Sequence, residues 1–592
     1  TEYSEDESKA EKNTRSSSVI EVDGTEKTLA AAVLDAEYGK ETTIKLKKDI
    51  VVSSQIDIPE GKNIVFDMNG MTVTVEETFA GRIFRNYGTL IIEGDGTIDV
   101  SDAGANGYGS VNNYGYLEVV DGKYIGLKEA NASNFYNRKG GTAIFHNPDI
   151  NGGAGCVASE ADTETYIYGG KYFDEYYPAI ENRGYMEITA GEFKNTSCSV
   201  CVGNKWGYTV RSGKDSDSAY LLIKGETDDS IKVTGTQGGL SVVGGTADIY
   251  NGSYEIVDCK KGHGSTYYAG YFTGESDVSI TNIYGGTFKS FNRVAIQVGN
   301  GNSAPDSGNG EESTLVIYDG TFIGGNGADA VYVEEQNNAL GNLKVVNGNF
   351  SSEVDEKYLD EGSSFVQNGD GKWVAETVFD SGSGTEEDPY KIDSAKQLKE
   401  FRDLVNSGKT FEGKYIELTE DIDLEGEEWT PIGGDTLYTG GNYFSGSFDG
   451  GGHTIYGLKI TETYDNSDYT YSAYGLFGAA GKGAEFKNLN IDSPYIKLDQ
   501  AKNTGALLGG IAYAGNGKLV KISNVNVTNA EISANARVGG IVGWVIDSIK
   551  GVEISDCTVT GDISAVYNTA VNDDGDKAGG IAGLVSSDCF IS

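Results

Sequence analysis

The sequence predicts an all-β fold built from two tandem right-handed parallel β-helices, each of which begins with a short capping helix. Three observations support this fold class: an opening pattern that occurs twice, a coil repeat behind the first opening, and a different repeat behind the second. The first repeat has a unit of about 20 to 34 residues. A β-propeller blade needs about 40 to 50 residues, so the shorter unit favours a solenoid.

The doubled opening separates the chain into two modules. Residues 66–73 read FDMNGMTV and residues 448–455 read FDGGGHTI, and they follow LKKDI at 46–50 and LTEDI at 418–422. The order of the segments is the same both times, with an offset of about 370 to 380 residues. A repeated opening with repeats behind it indicates two modules of one architecture.

An amphipathic segment precedes each opening, within residues 24–39 and 394–409. Apolar residues at helical spacing form the stripes, namely Leu29, Ala32, Val33 and Ala36 in the first segment and Leu398, Phe401, Leu404 and Val405 in the second. Ser394 and Gln397 have the spacing of a capping box. Because the end coil of a solenoid leaves its core open, each helix is expected to cover one end.

Alternating apolar residues followed by Gly-x-aromatic form the repeat of the first module. The phrases LEVVDGKY, YIYGGKY, MEITAGEF, ADIYNGSY, NIYGGTF, LVIYDGTF and LKVVNGNF contain Gly122, Gly170, Gly191, Gly252, Gly286, Gly320 and Gly348, with Tyr124, Tyr172, Phe193, Tyr254, Phe288, Phe322 and Phe350 two residues later. The alternation predicts short strands, and glycine permits the turn after each strand. The aromatic side chains are expected to stack on their equivalents one coil away, at about 4.8 Å.

The domain boundaries follow from composition and turn residues. Residues 1–18 are polar and predict a disordered tail. The first β-helix is expected over residues 19–376, and it ends in a hairpin across the Asn-Gly-Asp-Gly turn at 368–371. Residues 377–392 are expected to form a linker, and residues 393–592 the second β-helix, which is interpreted as truncated.

The second module has its own repeats, GLFG (475–478), GALLG (505–509), GGIVG (539–543) and GGIAG (579–583). These motifs, together with the WTPIG and FSGSFDGGGHTIYGL segments before them, resemble the GLUG-type repeats of bacterial surface proteins, including the N-terminal β-helix regions of immunoglobulin A1 peptidases. The first module is similar to the Gly-x-aromatic β-helices of secreted, adhesin-like Firmicutes proteins. Both resemblances imply a right-handed parallel β-helix at the bacterial surface, with adhesion or scaffolding as its function.

Charge excludes two classes of partner. The chain has 46 basic and 89 acidic side chains, which gives a formal net charge of −43. Nucleic acids and anionic membrane surfaces need a clustered basic face, so neither is an expected partner. No stretch reaches the ~18 apolar residues of a transmembrane helix. We expect an extracellular protein, secreted or on the cell surface, whose partners are host or bacterial glycans or surface proteins.

The leading hypothesis is a non-catalytic, adhesin-like β-helical rod, and the alternative is a β-helical polysaccharide lyase or glycoside hydrolase. A zinc peptidase of the His-Glu-x-x-His type is excluded, because none of His146, His263 and His453 is followed by glutamate. A hydrolase needs two facing carboxylates, and no acid-rich phrase stands apart from the repeats. The nine arginines are scattered along the sequence, with no cluster for an anionic sugar. No catalytic residue and no cofactor is therefore assigned.

Metal and thiol sites have only weak candidates. Asp573, Asp574 and Asp576 form an acidic loop of the kind that calcium prefers, and Asp421 and Asp423 form a second pair. Cys198 and Cys201 have the spacing of a metal or redox pair, but their strand-like context favours packed thiols, and their oxidation state stays open. Cys557 aligns with Leu489 and Val525 and is expected inside. Exposed tyrosines could form a sugar-stacking face, yet no ligand-binding residue can be assigned.

Overall fold

The computed structural model describes residues 18–22, 26–104, 107–127, 133–175, 177–196, 208–258, 268–274, 278–299, 312–335, 341–359, 362–379, 381–434, 442–462, 472–481, 483–498, 503–511, 519–545, 552–566, 577–586 and 589–592. The chain divides into two compact units. The first contains Thr1–Tyr358 and Phe365–Ala375, and the second contains Leu359–Ser364 and Glu376–Ser592.

Three sheets form the first unit. The strands of the first sheet are Ser18–Val22, Glu41–Leu46, Asn63–Asp67, Thr89–Glu93, Tyr116–Val119, Thr142–Phe145, Glu164–Ile167, Tyr185–Ile188, Tyr220–Ile223, Gly245–Ile249, Ser279–Ile283, Ser313–Ile317 and Gly341–Val345. Those of the second sheet are Ile56–Ile58, Gly81–Asn86, Gly107–Asn113, Phe135–Asn137, Val157–Ser159, Ile180–Asn182, Tyr208–Ser212, Gly238–Val242, Gly270–Phe272, Ile296–Val298 and Val331–Val333. Those of the third sheet are Ile50–Val52, Thr72–Val75, Thr97–Asp99, Lys123–Ile125, Asp149–Asn151, Lys171–Asp174, Gly191–Asn195, Ile231–Gly235, Ser253–Ile256, Thr287–Lys289, Thr321–Ile323, Asn349–Phe350, Trp373–Thr377 and Ser363–Gln367.

Each strand pairs in parallel with the strand of the next coil, so the sheets grow by one strand a coil. In the first sheet, for example, Ile44 pairs with Phe66 and Phe66 with Ile92, and all three side chains point into the core. Parallel strands of successive coils need a connection that goes once around the solenoid, which the strands of the other two sheets supply. The parallel stacks confirm the predicted β-helical fold class.

The aromatic residues of the Gly-x-aromatic repeat lie inside the solenoid. Tyr254, Phe288, Phe322 and Phe350 form a ladder with centroid separations of 4.4, 5.4 and 5.1 Å, and all four are fully buried. The predicted stacking of equivalent aromatics is confirmed for this ladder. Offset stacking of this kind adds about 0.5–1.5 kcal/mol a pair to the free energy gained from burial alone.

The glycine of each repeat is required by the backbone. Gly320 has φ = 138°, a conformation that L side chains rarely adopt. A Cβ there would lie 3.1 Å from the Gly286 carbonyl oxygen and 3.1 Å from the Phe322 ring. The other six repeat glycines also have positive φ. Glycine therefore permits the sharp turn between the first and third sheets in these repeats, whereas two other coils make the turn without glycine, at residues 47–49 and 146–148.

The third sheet ends in antiparallel pairing, unlike the rest of the unit. Asn349 and Phe350 pair with Val374 and Trp373, and the Asn368 carbonyl oxygen accepts a hydrogen bond from the Gly371 amide at 2.9 Å. This is the Asn-Gly-Asp-Gly turn from which the sequence predicts a hairpin.

Helix α1 (Glu26–Asp35) lies at the start of the first unit and contacts the first strands. Leu29, Ala32 and Val33 are buried, as the stripe predicts. The ammonium group of Lys62 donates hydrogen bonds to the carbonyl oxygens of Val33, Leu34 and Ala36. The buried ammonium group therefore provides hydrogen-bond donors for carbonyl groups at the C-terminal end of α1, which have no partner within the helix. Short 3₁₀ turns occur at Asp228–Ser230 and Glu356–Tyr358.

The second unit has one large and two small sheets. The large sheet contains Tyr390–Ile392, Tyr415–Leu418, Ile422–Asp423, Ser447–Asp449, Thr454–Tyr456, Lys459–Ile460, Glu485–Asp492, Tyr495–Leu498, Val520–Ala534, Val552–Ser555, Thr558–Ala565 and Cys589–Ile591. One small sheet contains Ala473–Tyr474, Asn503–Gly505, Arg537–Gly539 and Lys577–Gly579, and the other contains Phe477–Ala480, Leu508–Ile511, Val542–Val545 and Ala582–Val585. The glycine-rich motifs lie where the chain passes from one small sheet to the other, and the strands of both small sheets pair in parallel.

Phe379 and Tyr390, which the sequence analysis places in a linker, belong to the hydrophobic core of the second unit. Their rings stack at 4.5 Å, and both side chains are at most 4% exposed. Cys557 also packs against this core, as its alignment with Val525 predicts. Burial raises the pKa of the Cys557 thiol, which favours its neutral form.

Helix α2 (Ala395–Asn406) buries Leu398, Phe401, Leu404 and Val405, which confirms the predicted stripe. Ser394 is the N-cap, and its hydroxyl oxygen accepts from the Gln397 amide at 3.5 Å. The Gln397 side chain accepts from the Asp393 amide, one residue before the position of a standard capping box. Neither α1 nor α2, the α-helices of the described residues, is long and apolar enough to cross a bilayer.

Replacing the N-cap, Ser394→Ala, is expected to lower the free energy of unfolding of the second unit by about 1 kcal/mol, because the Gln397 amide loses its acceptor. Urea denaturation measures the change. Ser564→Ala, at an exposed strand position of the same unit, is the control and should stay within about 0.5 kcal/mol of the original protein. Equal effects of the two substitutions would contradict the assigned cap.

Candidate functional site

The structure places only some of the candidate residues. Asp573, Asp574 and Asp576, the calcium candidates, lie outside the described residues, as do Cys198, Cys201 and His263. Among the residues that the structure does describe, no group of three or more His, Cys, Asp or Glu side chains is arranged to hold a metal ion.

The acidic residues of the two openings form turns. The Asp49 carboxylate accepts from the Thr72 amide at 2.7 Å, and the Asp421 carboxylate accepts from the Thr454 amide at 2.8 Å. His453 lies 3.4 Å from the same Asp421 oxygen. The same bond therefore stabilises the same turn in both modules, and Asp421 has a structural explanation that needs no metal.

His146 belongs to a different environment, the outward face of the first sheet. Its Nε2 lies 2.8 Å from the Glu118 carboxylate, and its ring lies 5.6 Å from the ring of Tyr168. Both neighbours are on adjacent coils of the same face. Other half-exposed tyrosines lie on the same face, among them Tyr250 and Tyr318.

We call the outward side of the first sheet between Tyr116 and Tyr318 the tyrosine face. Its tyrosines are Tyr116, Tyr166, Tyr168, Tyr185, Tyr220, Tyr250, Tyr284 and Tyr318, and its carboxylates are Glu118, Glu164, Glu187 and Asp248. The strand register aligns these side chains in three columns along the solenoid axis. Tyr168, Tyr250 and Tyr318 are 42%, 40% and 40% exposed, so the face is open to solvent.

The rings stack along the columns. Tyr250, Tyr284 and Tyr318 have centroid separations of 4.5 and 4.7 Å with nearly parallel planes, and Tyr185 stacks on Tyr220 at 5.7 Å. Stacking covers both faces of the Tyr284 ring and leaves its edge and hydroxyl outward. The column of Tyr250, Tyr284 and Tyr318 thus presents a regular row of phenol groups at the spacing of the coils.

Carboxylates lie beside the phenols. The Tyr116 hydroxyl donates to Glu118 at 3.1 Å, the Tyr185 hydroxyl donates to Glu187 at 3.1 Å, and the Tyr220 hydroxyl donates to Asp248. Partial burial and the neighbouring Glu187 raise the pKa of Tyr185 to about 12. The pKa values of Tyr116 and Tyr220 are raised as well, mainly by burial, so the phenols of these three residues remain protonated at physiological pH. Their protons bind the carboxylates. The second oxygens of Glu118 and Asp248 lie 2.8 Å from His146 Nε2 and from the Asn282 amide nitrogen, and each keeps a lone pair that can accept one more hydrogen bond.

This arrangement suits a neutral, hydroxyl-rich ligand. The carboxylate oxygens can accept from sugar hydroxyls, and exposed ring surfaces, such as that of Tyr168, can pack against sugar C–H groups. A flat array of such groups over consecutive coils fits an extended chain better than a compact molecule.

The sequence contains a local signal for the tyrosine face. In the pairs Ile167–Tyr168, Ile249–Tyr250, Ile283–Tyr284 and Ile317–Tyr318, a tyrosine directly follows the last inward isoleucine of a strand. Adjacent strand residues point to opposite faces, so these tyrosines must point outward. The aromatic residues after the glycine point inward, as the ladder of the third sheet shows.

Sequence comparisons find relatives that match part of the chain, and no family model matches it. A protein of Evansella cellulosilytica whose name describes a Gly-rich membrane protein is 35% identical over 135 residues, or 22% of this chain and 14% of that protein. Halomucin of Haloquadratum walsbyi is 30% identical over 180 residues, or 29% of this chain and 2% of halomucin. The chain therefore corresponds to less than two thirds of the length of these curated relatives.

Solved structures with a similar arrangement of the chain include two of low identity. An immunoglobulin A1 protease-like protein of Bacteroides ovatus is 22% identical, with a TM-score of 0.26, over 39% of this chain and 71% of that one. A PL6-family alginate lyase is 9% identical, with a TM-score of 0.27, over 97% of this chain and 89% of that one.

Proposed function

We propose that this protein is a non-catalytic, adhesin-like protein of the extracellular surface that binds glycan chains through the tyrosine face. The observation that carries the proposal is the set of half-exposed tyrosines and carboxylates on one side of one sheet, aligned by register over consecutive coils. A glycan laid on this face would meet at least one tyrosine on each of six consecutive coils, from Tyr166 to Tyr318.

Two further points support the proposal. Burial does not explain the outward tyrosines, because the solenoid already has an inner aromatic ladder to fill its core. The relatives in the sequence comparison are named as a membrane protein and a halomucin, which is consistent with a place at the cell surface. The GLUG-type interpretation of the second unit belongs to the same proposal, since such repeats are typical of bacterial surface proteins.

A binding array tests the proposal. The full chain is applied to immobilised host and bacterial glycans and to extracellular-matrix proteins, and the bound glycans are then titrated by calorimetry. Tyr168→Ala and Tyr250→Ala should each weaken glycan binding at least about fivefold, since an aromatic residue in a binding centre contributes about 1 kcal/mol or more. Unaltered affinity in both variants would refute the role of the tyrosine face.

A matched control exists on the second sheet. Tyr332 is 45% exposed, and its hydroxyl donates to Glu334 at 3.1 Å, so it resembles the tyrosines of the face in exposure and pairing. Tyr332→Ala should leave glycan affinity unchanged. Thermal unfolding of all the variants distinguishes a loss of binding from a loss of fold.

The alternative, a polysaccharide lyase or glycoside hydrolase, makes a different prediction for the same glycans. The bound glycans are incubated with the protein, and their chain length is followed by size-exclusion chromatography. We expect constant chain length. Shortening of the chains, with unsaturated or reducing ends, would replace the proposed binding function by an enzymatic one.

A further inference from the structure

The outward side of the second sheet brings together arginines that are far apart in the sequence. Arg138, Arg183 and Arg211 lie there within four successive coils. Arg82 lies beneath this surface, two coils before Arg138, with its guanidinium 5.7 Å from the centre of the Tyr136 ring. We call these four residues the arginine cluster. The arginines are scattered in the sequence, and the prediction that they form no cluster is wrong for these four. The cluster lies on a different sheet from the tyrosine face.

Two glutamates and one tyrosine connect the cluster. The Arg138 guanidinium binds Glu160 at 2.7 Å, while Arg183 and Arg211 share one Glu181 oxygen at 2.8 and 3.2 Å. The Tyr136 ring lies between two other members of the cluster, with its centre 4.0 Å from the Arg138 guanidinium and 5.7 Å from the Arg82 guanidinium. Burial disfavours the ionised form of Glu181, yet Arg211 and Arg183 outweigh it and lower the pKa of that carboxyl. Glu181 is therefore held as an anion.

Arg82 adds a charge that no carboxylate compensates. It is 2% exposed, and its Nη1 donates to the carbonyl oxygens of Val111, Ser133 and Asn134. Among the described residues it has no acidic partner. Burial and the neighbouring Arg138 lower the pKa of Arg82 to about 9, so it stays protonated at physiological pH but in an unfavourable positive field.

The charges of the cluster do not balance. Four guanidinium groups face two carboxylates, Glu160 and Glu181, and the exposed Asp215 acts on Arg183 from outside. The cluster therefore keeps a positive charge on a chain whose net charge is −43. A network built only for stability would be expected to pair each buried cation.

Part of the cluster can be reached from solvent. The side chains of Arg138 and Arg183 are 31% and 32% exposed. Their bonds within the described part of the chain use Nη1 and Nε of Arg138 and Nη2 of Arg183, which leaves Nη2 of Arg138 and Nη1 of Arg183 as donors. A guanidinium edge with unused N–H groups matches a carboxylate, and such bonds are stronger than those between neutral groups.

From this geometry we propose that the arginine cluster is a second binding site, specific for the carboxylate of an acidic sugar such as a uronate. The carboxylate accepts hydrogen bonds from Arg138 and Arg183, and Arg82 and Arg211 provide positive charge beneath them. The site fits isolated carboxylates and not a dense polyanion, since the surrounding chain is strongly acidic and repels extended negative charge.

Calorimetry with the full chain tests this site. The ligands are trigalacturonate, a neutral galactose trisaccharide and a sulfated galactose oligosaccharide of similar length. We expect trigalacturonate to bind at least about tenfold more tightly than the neutral trisaccharide, with an affinity that falls as salt is raised. Equal affinity for the acidic and neutral sugars would overturn the proposal without the use of any variant.

Arg183→Gln should weaken trigalacturonate binding about tenfold, while Arg183→Lys, which keeps the charge but not the planar pair of donors, should weaken it less. Arg402→Gln in the second unit removes the same charge elsewhere and is the control. Unchanged affinity in a folded Arg183→Gln protein would also overturn the proposal. Tighter binding of the sulfated sugar than of trigalacturonate would overturn the assignment to a carboxylate.

The two sites are distinguishable. Tyr168→Ala should leave the preference for trigalacturonate over the neutral trisaccharide intact, and Arg183→Gln should leave binding of neutral glycans to the tyrosine face intact. If Tyr168→Ala abolished the acidic preference, the arginine cluster would not be the site. By contrast, an absence of glycan binding in the array would refute only the proposed role of the tyrosine face.

Discussion

Phe288→Ala is expected to lower the free energy of unfolding of the first unit by about 3–5 kcal/mol. Phe288 is fully buried in the aromatic ladder, 4.4 Å from the ring of Tyr254 and 5.4 Å from that of Phe322. Its removal leaves a cavity and breaks two stacked pairs at once. Each coil depends on its neighbours, so the loss should open the adjacent coils as well.

Differential scanning calorimetry of the full chain and hydrogen exchange of residues 279–323 measure this effect. The control is Tyr284→Ala, which removes an aromatic residue from the same coil on the outward face. Because Tyr284 is only partly buried, its loss should cost about 1 kcal/mol, the value of its stacking. If the two variants lost the same stability, the inner ladder would not be the main support of these coils.

Asn113→Asp is expected to destabilise the first unit by about 3 kcal/mol or more at neutral pH. Asn86, Asn113 and Asn137 form a buried amide ladder, with Nδ2–Oδ1 distances of 2.8 and 2.9 Å between successive members. The Asn113 amide also donates to the carbonyl oxygens of Gly115 and Thr142. An aspartate at this position would direct a negative oxygen at three acceptor oxygens.

The loss should depend on pH in a direction that follows from this environment. Burial among acceptors would raise the folded-state pKa of the introduced carboxyl above its unfolded value of about 4. A raised pKa adds stability below the unfolded pKa and removes it as pH rises through the folded pKa. Relative to the original protein, the variant should therefore recover at acidic pH and lose stability towards neutrality.

Urea denaturation between acidic and neutral pH checks this prediction. The neighbouring Asn112→Asp is the matched control, because Asn112 points outward and its side-chain oxygen lies 3.5 Å from Nε of Arg138. A carboxylate at position 112 lies next to the Arg138 guanidinium, so Asn112→Asp should change the free energy of unfolding only slightly. A pH-independent loss in Asn113→Asp would contradict the role of the amide ladder.

The inward and outward aromatic residues show which features of the fold the sequence predicts. The Gly-x-aromatic phrase predicts the inner ladder correctly, because a strand side chain alternates between two faces and a glycine marks each turn. The tyrosine face follows from the same alternation once the inward isoleucines are known. The columns of the tyrosine face cannot be predicted in this way, because they depend on the register that pairs each residue with a residue of the next coil.

The arginine cluster shows where prediction from sequence fails. Arg138, Arg183 and Arg211 are separated by unequal lengths of chain, and nothing local connects them. The register of the second sheet pairs Glu181 with Arg211 and places Arg183 next to them. The linker expectation at residues 377–392 has a related origin, because its polar, glycine-rich composition conceals Phe379 and Tyr390, which the second core buries.

The amino-acid sequence alone determined the β-helical class, the two capping helices, the inward aromatic ladder and the glycine turns, because each depends on residues close together in the chain. The tertiary structure decided which side chains become neighbours across coils. Coil lengths vary, from 20 residues between Lys171 and Gly191 to 40 residues between Gly191 and Ile231, which begin successive strands of the third sheet, so register depends on hydrogen bonding between whole strands. Both candidate binding sites are products of that register.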